Sequence, residues 1–240
     1  DVVVTVNALP TISGTTTVCV DATTDLDGSG TPATSNPWTS SNNGIATINS
    51  SGLVTGVAAG TTTITYTNSN NCSITTTVTV NGGVGVSAGA DLSLCSGTSV
   101  TLSGTGASSY SWDNGVTNGT AFTPTTTATY TVTGTDGNGC VTTDDVLVTV
   151  DPIPTITGAT DVCVGSSTSL SGSGTAASSN AWTSSNSGVA SVSSSGLVTG
   201  VSAGTATITY INSGGCQATE VITVNPTPEI TGTRETYVGG

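Results

Sequence analysis

The run WTSSNNGIATINSSGLVTGVAAGTTTITY, residues 38–66, returns as WTSSNSGVASVSSSGLVTGVSAGTATITY, residues 182–210. The two agree at 22 of 29 positions. The seven that differ (Asn43/Ser187, Ile45/Val189, Thr47/Ser191, Ile48/Val192, Asn49/Ser193, Ala58/Ser202, Thr62/Ala206) exchange one small or β-branched residue for another, so size and face are kept. The offset is 144 residues at Cys19/Cys163, Trp38/Trp182, Tyr66/Tyr210 and Cys72/Cys216, with no insertion between the copies. Such self-similarity marks an array of small modules, and the functional question becomes what such an array is for.

Working outward, the local pattern is β throughout. Apolar and threonine residues alternate with period two in TTTITYT (61–67), ITTTVTV (74–80), ATYTVTG (128–134), VLVTV (146–150), TATITYI (205–211) and EVITV (220–224). Turn clusters (SNNG, SSG, DNG, DGNG, NSGG) lie between them, and no segment reads as a helix. Each module holds two cysteines around one tryptophan: Cys19, Trp38, Cys72; Cys95, Trp112, Cys140; Cys163, Trp182, Cys216. Short strands, tight turns and Cys…Trp…Cys order predict all-β, tandem immunoglobulin-like β-sandwiches in a rod. The expected boundaries are 1–7 for the last strand of a preceding module, 8–81, 82–150 and 151–225 for three modules, and 226–240 for the start of a following one. The first of these rests on DVVVTVNALPTI (1–12) matching DVLVTVDPIPTI (145–156). Trp38, Trp112, Trp182, Tyr66, Tyr130 and Tyr210 are the expected core, with each tryptophan beside a disulfide. The order within modules predicts the bridges Cys19–Cys72, Cys95–Cys140 and Cys163–Cys216, the second cysteine lying in the turn before the last strand; six free buried thiols are the alternative. Disulfides imply an oxidising, extracellular setting.

Composition narrows the chemistry. Charged residues are 6% of the chain, against roughly 25% in an average soluble protein. With one basic residue, Arg234, against fourteen acidic ones, the net charge of −13 repels phosphate backbones and anionic headgroups. Neither nucleic acid nor membrane insertion is expected. Lysine and histidine are absent, which removes Ser-His-Asp and Cys-His catalysis, imidazole metal sites, Schiff bases and lysine–asparagine crosslinks. Only carboxylates remain as acid or base, and the expectation is no enzyme.

The motifs SGLVTG, AGT and TITY of residues 38–66 and their copy resemble the bacterial immunoglobulin-like group 2 module of intimin- and invasin-type surface proteins. YSWDNG (110–115) and PTTTATYTVTGTDGNGC (124–140) of the middle module resemble the immunoglobulin/PKD-like repeats of long Bacteroidota surface adhesins. The resemblance implies a structural stalk or filament section on the bacterial cell surface and carries no catalytic residues.

Other constellations are weaker. Asp144, Asp145 and Asp151 flank a module junction where calcium stiffens some tandem domains, but Asn225 stands at the next joint; no other cofactor is expected. Asp21, Asp25 and Asp27 lack EF-hand spacing and read as a solvated loop. Asp113 and Asp136 fit hairpin turns. Tyr110 and Phe122 are the aromatics left over for a glycan contact, the basis of an alternative role as spacer modules of a secreted carbohydrate-active enzyme. Tyr237 stands where a fourth module would have its first cysteine. Edge strands without lysine are covered by neighbouring modules, by identical chains in a fibre, or protected by being short and twisted. The prolines of 152–154 and 226–228 stiffen two joints, whereas the glycines of 81–84 predict a more flexible one.

Overall fold

The computed structural model describes residues 1–229 and 231–232, all of it strand, turn and loop. The onset of a following module falls partly outside these residues, and Arg234 and Tyr237 lie outside them. The chain forms two compact units; the first joins residues 1–89 to 101–120 and 130–146, the second joins 90–100 and 121–129 to the segment from Leu147 on. Tandem immunoglobulin-like sandwiches result, with the strands of the middle one divided between the units.

In the first unit, one sheet has the order Thr17–Cys19, Ser73–Asn81, Gly60–Thr67, Trp38–Ser40, and the facing sheet the order Ile12–Gly14, Thr23–Gly28, Leu53–Gly56, Ala46–Ile48. Period-two alternation becomes burial along Gly60–Thr67, where Thr62, Ile64 and Tyr66 point inward and the intervening threonines do not. Leu26 and Val54 from the facing sheet close on Ile64, Tyr66, Val78 and Val80. The first short strand runs parallel to the last, Cys19 opposite Asn81. The second unit repeats this plan with Asp161–Cys163, Gln217–Asn225, Gly204–Ile211 and Trp182–Ser184 against Ser167–Ser169, Leu197–Gly200 and Ala190–Val192. Its core sets Leu170 and Val198 against Ile208, Tyr210, Ile222 and Val224.

The middle module keeps the same logic. Its sheet has the order Ser109–Trp112, Ala128–Thr135, Val141–Asp151, Leu92–Cys95. Trp112 lies opposite Val132, and Leu92–Cys95 runs parallel to the end of Val141–Asp151 with Cys95 opposite Asp151.

The outermost strands of the two four-stranded sheets in the first unit are three residues each, as are those of the two larger sheets in the second. Shortness protects these edges without lysine. Residues 1–11 form no strand, and Val2, Val3, Val4 and Val6 are 92, 87, 78 and 89% exposed, whereas Val146 and Val148, the copies of Val2 and Val4, are buried in Val141–Asp151. Alternation supplies the faces of a strand, and a neighbouring edge is what makes it one.

Candidate functional site

Each cysteine occupies one of two seats. The first seat ends the short parallel strand: Cys19, Cys95 and Cys163 lie opposite Asn81, Asp151 and Asn225, the last residues of their modules' final strands. The next residue donates its N–H to that strand end in every case, Val20 to Asn81 O (3.0 Å), Ser96 to Asp151 O (2.8 Å) and Val164 to Asn225 O (3.0 Å). The second seat is the turn before the final strand. There Asn68, Asp136 and Asn212, four residues ahead of Cys72, Cys140 and Cys216, accept the cysteine N–H on Oδ1 at 3.0, 2.8 and 2.9 Å. The residue before the cysteine takes a positive φ, 58° at Asn71, 84° at Gly139 and 77° at Gly215, which asparagine and glycine tolerate.

The two seats of one module lie at opposite ends of its final strand. Ser73–Asn81 has nine residues, so at about 3.3 Å per residue Cys72 and Cys19 are about 30 Å apart. A disulfide needs Cα atoms within about 7 Å. The expected intramodule pairs Cys19–Cys72, Cys95–Cys140 and Cys163–Cys216 are therefore corrected. The bridges are Cys19–Cys140 and Cys95–Cys216, each with Cα atoms 5.6 Å apart and a sequence separation of 121, and Cys72 and Cys163 are free thiols. The first seat of one module joins the second seat of the next.

Linker contacts bring the seats together. Thr142 Oγ1, just past Cys140, donates to Val84 O, just past Asn81. In the second unit Asn212 Nδ2 donates to Pro152 O at 3.0 Å, just past Asp151, and Cys216 Sγ lies 3.8 Å from Asp151 O. The glycine joint at 81–84, expected to be the more flexible, is thus spanned by a covalent bridge. Cys140 and Cys216 are each 1% exposed, whereas free Cys163 is exposed and free Cys72 half-buried.

With the disulfides at the junctions, the tryptophans pack elsewhere. Trp38 lies opposite Tyr66 with ring centroids 4.5 Å apart, and Trp182 opposite Tyr210 at 4.6 Å, both tilted by 43°. This corrects the expected tryptophan–disulfide contact. Each tyrosine ring lies flat against a glycine: a Cβ on Gly28 or Gly172 would sit 2.4 Å from the Tyr66 or Tyr210 ring. Trp112 is buried too and donates Nε1–H to Asn118 Oδ1 at 2.9 Å, while the same oxygen takes Gly104 N–H at 2.8 Å. Tyr130 is 6% exposed. Asn118 and the Asx residue four before each second cysteine are the roles that the sequence reading missed, though that spacing recurs in all three modules.

Tyr110 is not available as a sugar platform. Its ring packs on Gly104, and its hydroxyl donates to Ala107 O (2.7 Å) and accepts Ala107 N–H (2.8 Å). Phe122 is half-buried. A depression of about 300 Å³ over Leu170, Gly172, Trp182 and Tyr210 exposes little of either ring, since both are at least nine-tenths buried.

The carboxylates serve the backbone. Asp113 Oδ1 accepts Thr131 N–H, and Asp136 Oδ1 accepts Asn138 N–H besides that of Cys140. Asp144 Oδ2 accepts Ala88 N–H at 2.8 Å; that bond, then one from Asp145, hold its carboxyl below the usual value, desolvation opposing and Ser87 assisting. Asp151 Oδ2 accepts the Ser93 hydroxyl at 2.6 Å. Asp144 and Asp145 are successive in a strand and point to opposite faces. Among the described residues no three acidic or sulfur side chains gather as a metal site.

A sequence profile described as bacterial Ig-like domain (group 2) matches residues 4–84 and 147–223, more than half of the chain. The chain belongs to this family. The middle segment between the matches is not covered by the profile, although its cysteine seats have the geometry of the flanking group 2 domains. A comparison with curated proteins found no match. Among solved structures, the chain is similar to the N-terminal eight immunoglobulin domains of Down syndrome cell adhesion molecule (15% identity, 90% of this chain, 42% of that one, TM-score 0.42). It is also similar to domains 4 and 5 of the S-layer protein SbsC (16%, 90% and 98%, 0.29). A third is the C-terminal fragment of intimin solved with the intimin-binding domain of its translocated receptor (20%, 69% and 57%, 0.33).

Proposed function

We propose that the chain is a structural, non-enzymatic section of the stalk or filament of a long repetitive extracellular bacterial adhesin or surface fibre, of the type built by Bacteroidota. The observation that carries this reading is the placement of the disulfides. A bridge inside a sandwich protects that sandwich; a bridge from one sandwich to the next makes the junction covalent twice over, through the linker and through sulfur. Junctions are where a string of small domains bends and where proteases cut, since exposed linkers have few contacts. A chain serving as spacer between catalytic or binding domains gains nothing from closing its hinges. One that transmits load does.

Other features support a mechanical role in an oxidising space. With no histidine, no side chain of ordinary pKa titrates between pH 5 and 8. The three-residue edge strands favour a single thread over lateral sheet-to-sheet assembly. The only partners this role requires are further modules of the same array, and it requires no cofactor. Packing of Tyr110 weakens the alternative of a glycan-binding accessory to a secreted carbohydrate-active enzyme.

The test is immunogold labelling of intact producing cells with an antibody to residues 8–225, together with non-reducing electrophoresis of the shaved surface fraction. Surface label on thread-like appendages and a mobility shift on reduction are expected. Intracellular protein with all six cysteines reduced would overturn the proposal. Binding of the isolated chain to a glycan array would favour the accessory reading.

A further inference from the structure

Four of the six cysteines are bonded and two are not, and the repeat explains which. Cys163 is the 144-residue copy of Cys19, which is bonded to Cys140. Cys72 is the copy of Cys216 in the same sense, and Cys216 is bonded to Cys95. Each free thiol thus has an internal counterpart in the same seat that is occupied. Both bridges obey one rule: the first-seat cysteine of a module joins the second-seat cysteine of the next, 121 residues on. The same rule places the partner of Cys163 121 residues after it and the partner of Cys72 121 residues before it, and both positions fall outside the 240 residues.

We propose that Cys72 and Cys163 are crosslinking sites, the two open halves of the same interdomain bridge. Each takes the complementary cysteine of an adjoining immunoglobulin-like module, so that the bridge pattern continues across one further junction in each direction. Cys163 offers a first seat and accepts only a second-seat cysteine, while Cys72 offers a second seat and accepts only a first-seat one. Exposure agrees with this assignment. The bonded second-seat cysteines are each 1% exposed, whereas Cys72 is half-buried and Cys163 exposed, open to an approaching module.

The chemistry is thiol–disulfide exchange with a small disulfide as oxidant. The Cys163 thiolate attacks one sulfur of the oxidant, the oxidant's S–S bond breaks, and one thiolate leaves. The incoming second-seat thiolate then attacks Cys163 Sγ in the mixed disulfide and releases the other. One protein S–S bond forms, two protein thiols are oxidised by two electrons, the oxidant is reduced to two thiols, and the two protons end on those thiols.

A second copy of this chain presents both seats and is the probe. The purified chain titrates two thiols under native conditions. In a mixture of reduced and oxidised glutathione it forms covalent head-to-tail multimers, and peptide mapping without reduction finds Cys163 of one copy joined to Cys72 of another. Because trypsin has one arginine to cut at, pepsin or elastase gives the peptides. Cys163→Ser and Cys72→Ser each stop multimer growth alone, and an equimolar mixture of the two variants gives heterodimers and nothing longer. Four results would overturn the proposal: Cys163–Cys163 or Cys72–Cys72 dimers, a Cys72–Cys163 bond within one chain, glutathione adducts that never resolve, or fewer than two reactive thiols at the start. Serine at either free position leaves both existing bridges intact, which retained mobility without reductant confirms.

Discussion

Pulling the chain from its two ends in a single-molecule force experiment measures the bridge pattern directly. Fully reduced and unfolded, 240 residues reach about 860 Å at ~3.6 Å per residue. Oxidised, the shortest covalent route runs from Asp1 to Cys19, across to Cys140, back to Cys95, across to Cys216 and on to Gly240. That is about 90 residues, or about 320 Å. Three intramodule bridges would leave almost the same length, so the wild-type trace alone decides only whether bridges exist. The decisive perturbation is Cys72→Ser with Cys163→Ser. Neither residue is bonded, so the oxidised double variant still extends to about 320 Å. Intramodule pairing would instead free the loops 19–72 and 163–216, a further 106 or so residues, and add about 380 Å. A gain of that size without reductant would refute the strand-length argument on which the pairing rests. So would a full 860 Å extension of the unreduced wild type.

Four further outcomes follow from the packing. Gly172→Ala puts a Cβ 2.4 Å from Tyr210, whose ring is already held by Trp182, and at about 1–3 kcal/mol for overpacking it lowers the melting temperature of that domain by roughly 4–20 °C; Gly174→Ala, with φ 77° and open space, costs only about 1–2 kcal/mol by calorimetry. Thr62→Ala is mild, below about 1.5 kcal/mol in denaturant titration, because Ala206 already fills that place in the copy and Ser184 Oγ takes over the Asn186 N–H there at 3.2 Å. The lowered carboxyl of Asp144 contributes stability that is complete above its ordinary value and is lost as pH falls through the lower folded value. Asp144→Asn therefore lowers the melting temperature in the neutral region and flattens the acid limb below about pH 4, where variant and parent converge. Chelation of divalent ions leaves the melting temperature unchanged, since Asp144 and Asp151 are engaged by Ala88 N–H and the Ser93 hydroxyl; a fall of several degrees would restore calcium as a junction ligand.

Strands and core were legible because burial has period two and the copies preserve it. TTTITYT announces which of its residues face inward, and Gly60–Thr67 obeys. The disulfides were not legible from cysteine order. Order carries no distance, and the quantity that forbids Cys19–Cys72 is the length of the nine-residue strand between their seats. One signal in the sequence did carry the answer, the equal separation of 121 residues between Cys19 and Cys140 and between Cys95 and Cys216. No intramodule pairing gives one spacing for all its members. The role of Tyr110 was hidden for a related reason: Gly104, against which its ring lies, carries no side chain to advertise a core position. Asp1–Asn7 has the alternation of a final strand but no neighbouring edge among the described residues, so pattern and structure part there.

The middle module sharpens what the array conserves within itself. Its sequence is not matched by the group 2 profile, its tryptophan is held by Asn118, and its turn uses Asp136 where the flanking domains use Asn68 and Asn212. Yet Cys95 lies opposite Asp151 as Cys19 lies opposite Asn81, and Cys140 follows its Asx residue by four as Cys72 and Cys216 do. A bridge that crosses a junction needs a matching half on each side, so the geometry of both seats constrains neighbours jointly in a way that the interior of a sandwich does not. Core substitutions can compensate within one domain; a displaced seat leaves a thiol without a partner in the domain beside it. The seats, and not the faithful Trp38–Tyr66 repeat, are what the divergent module shares with the other two.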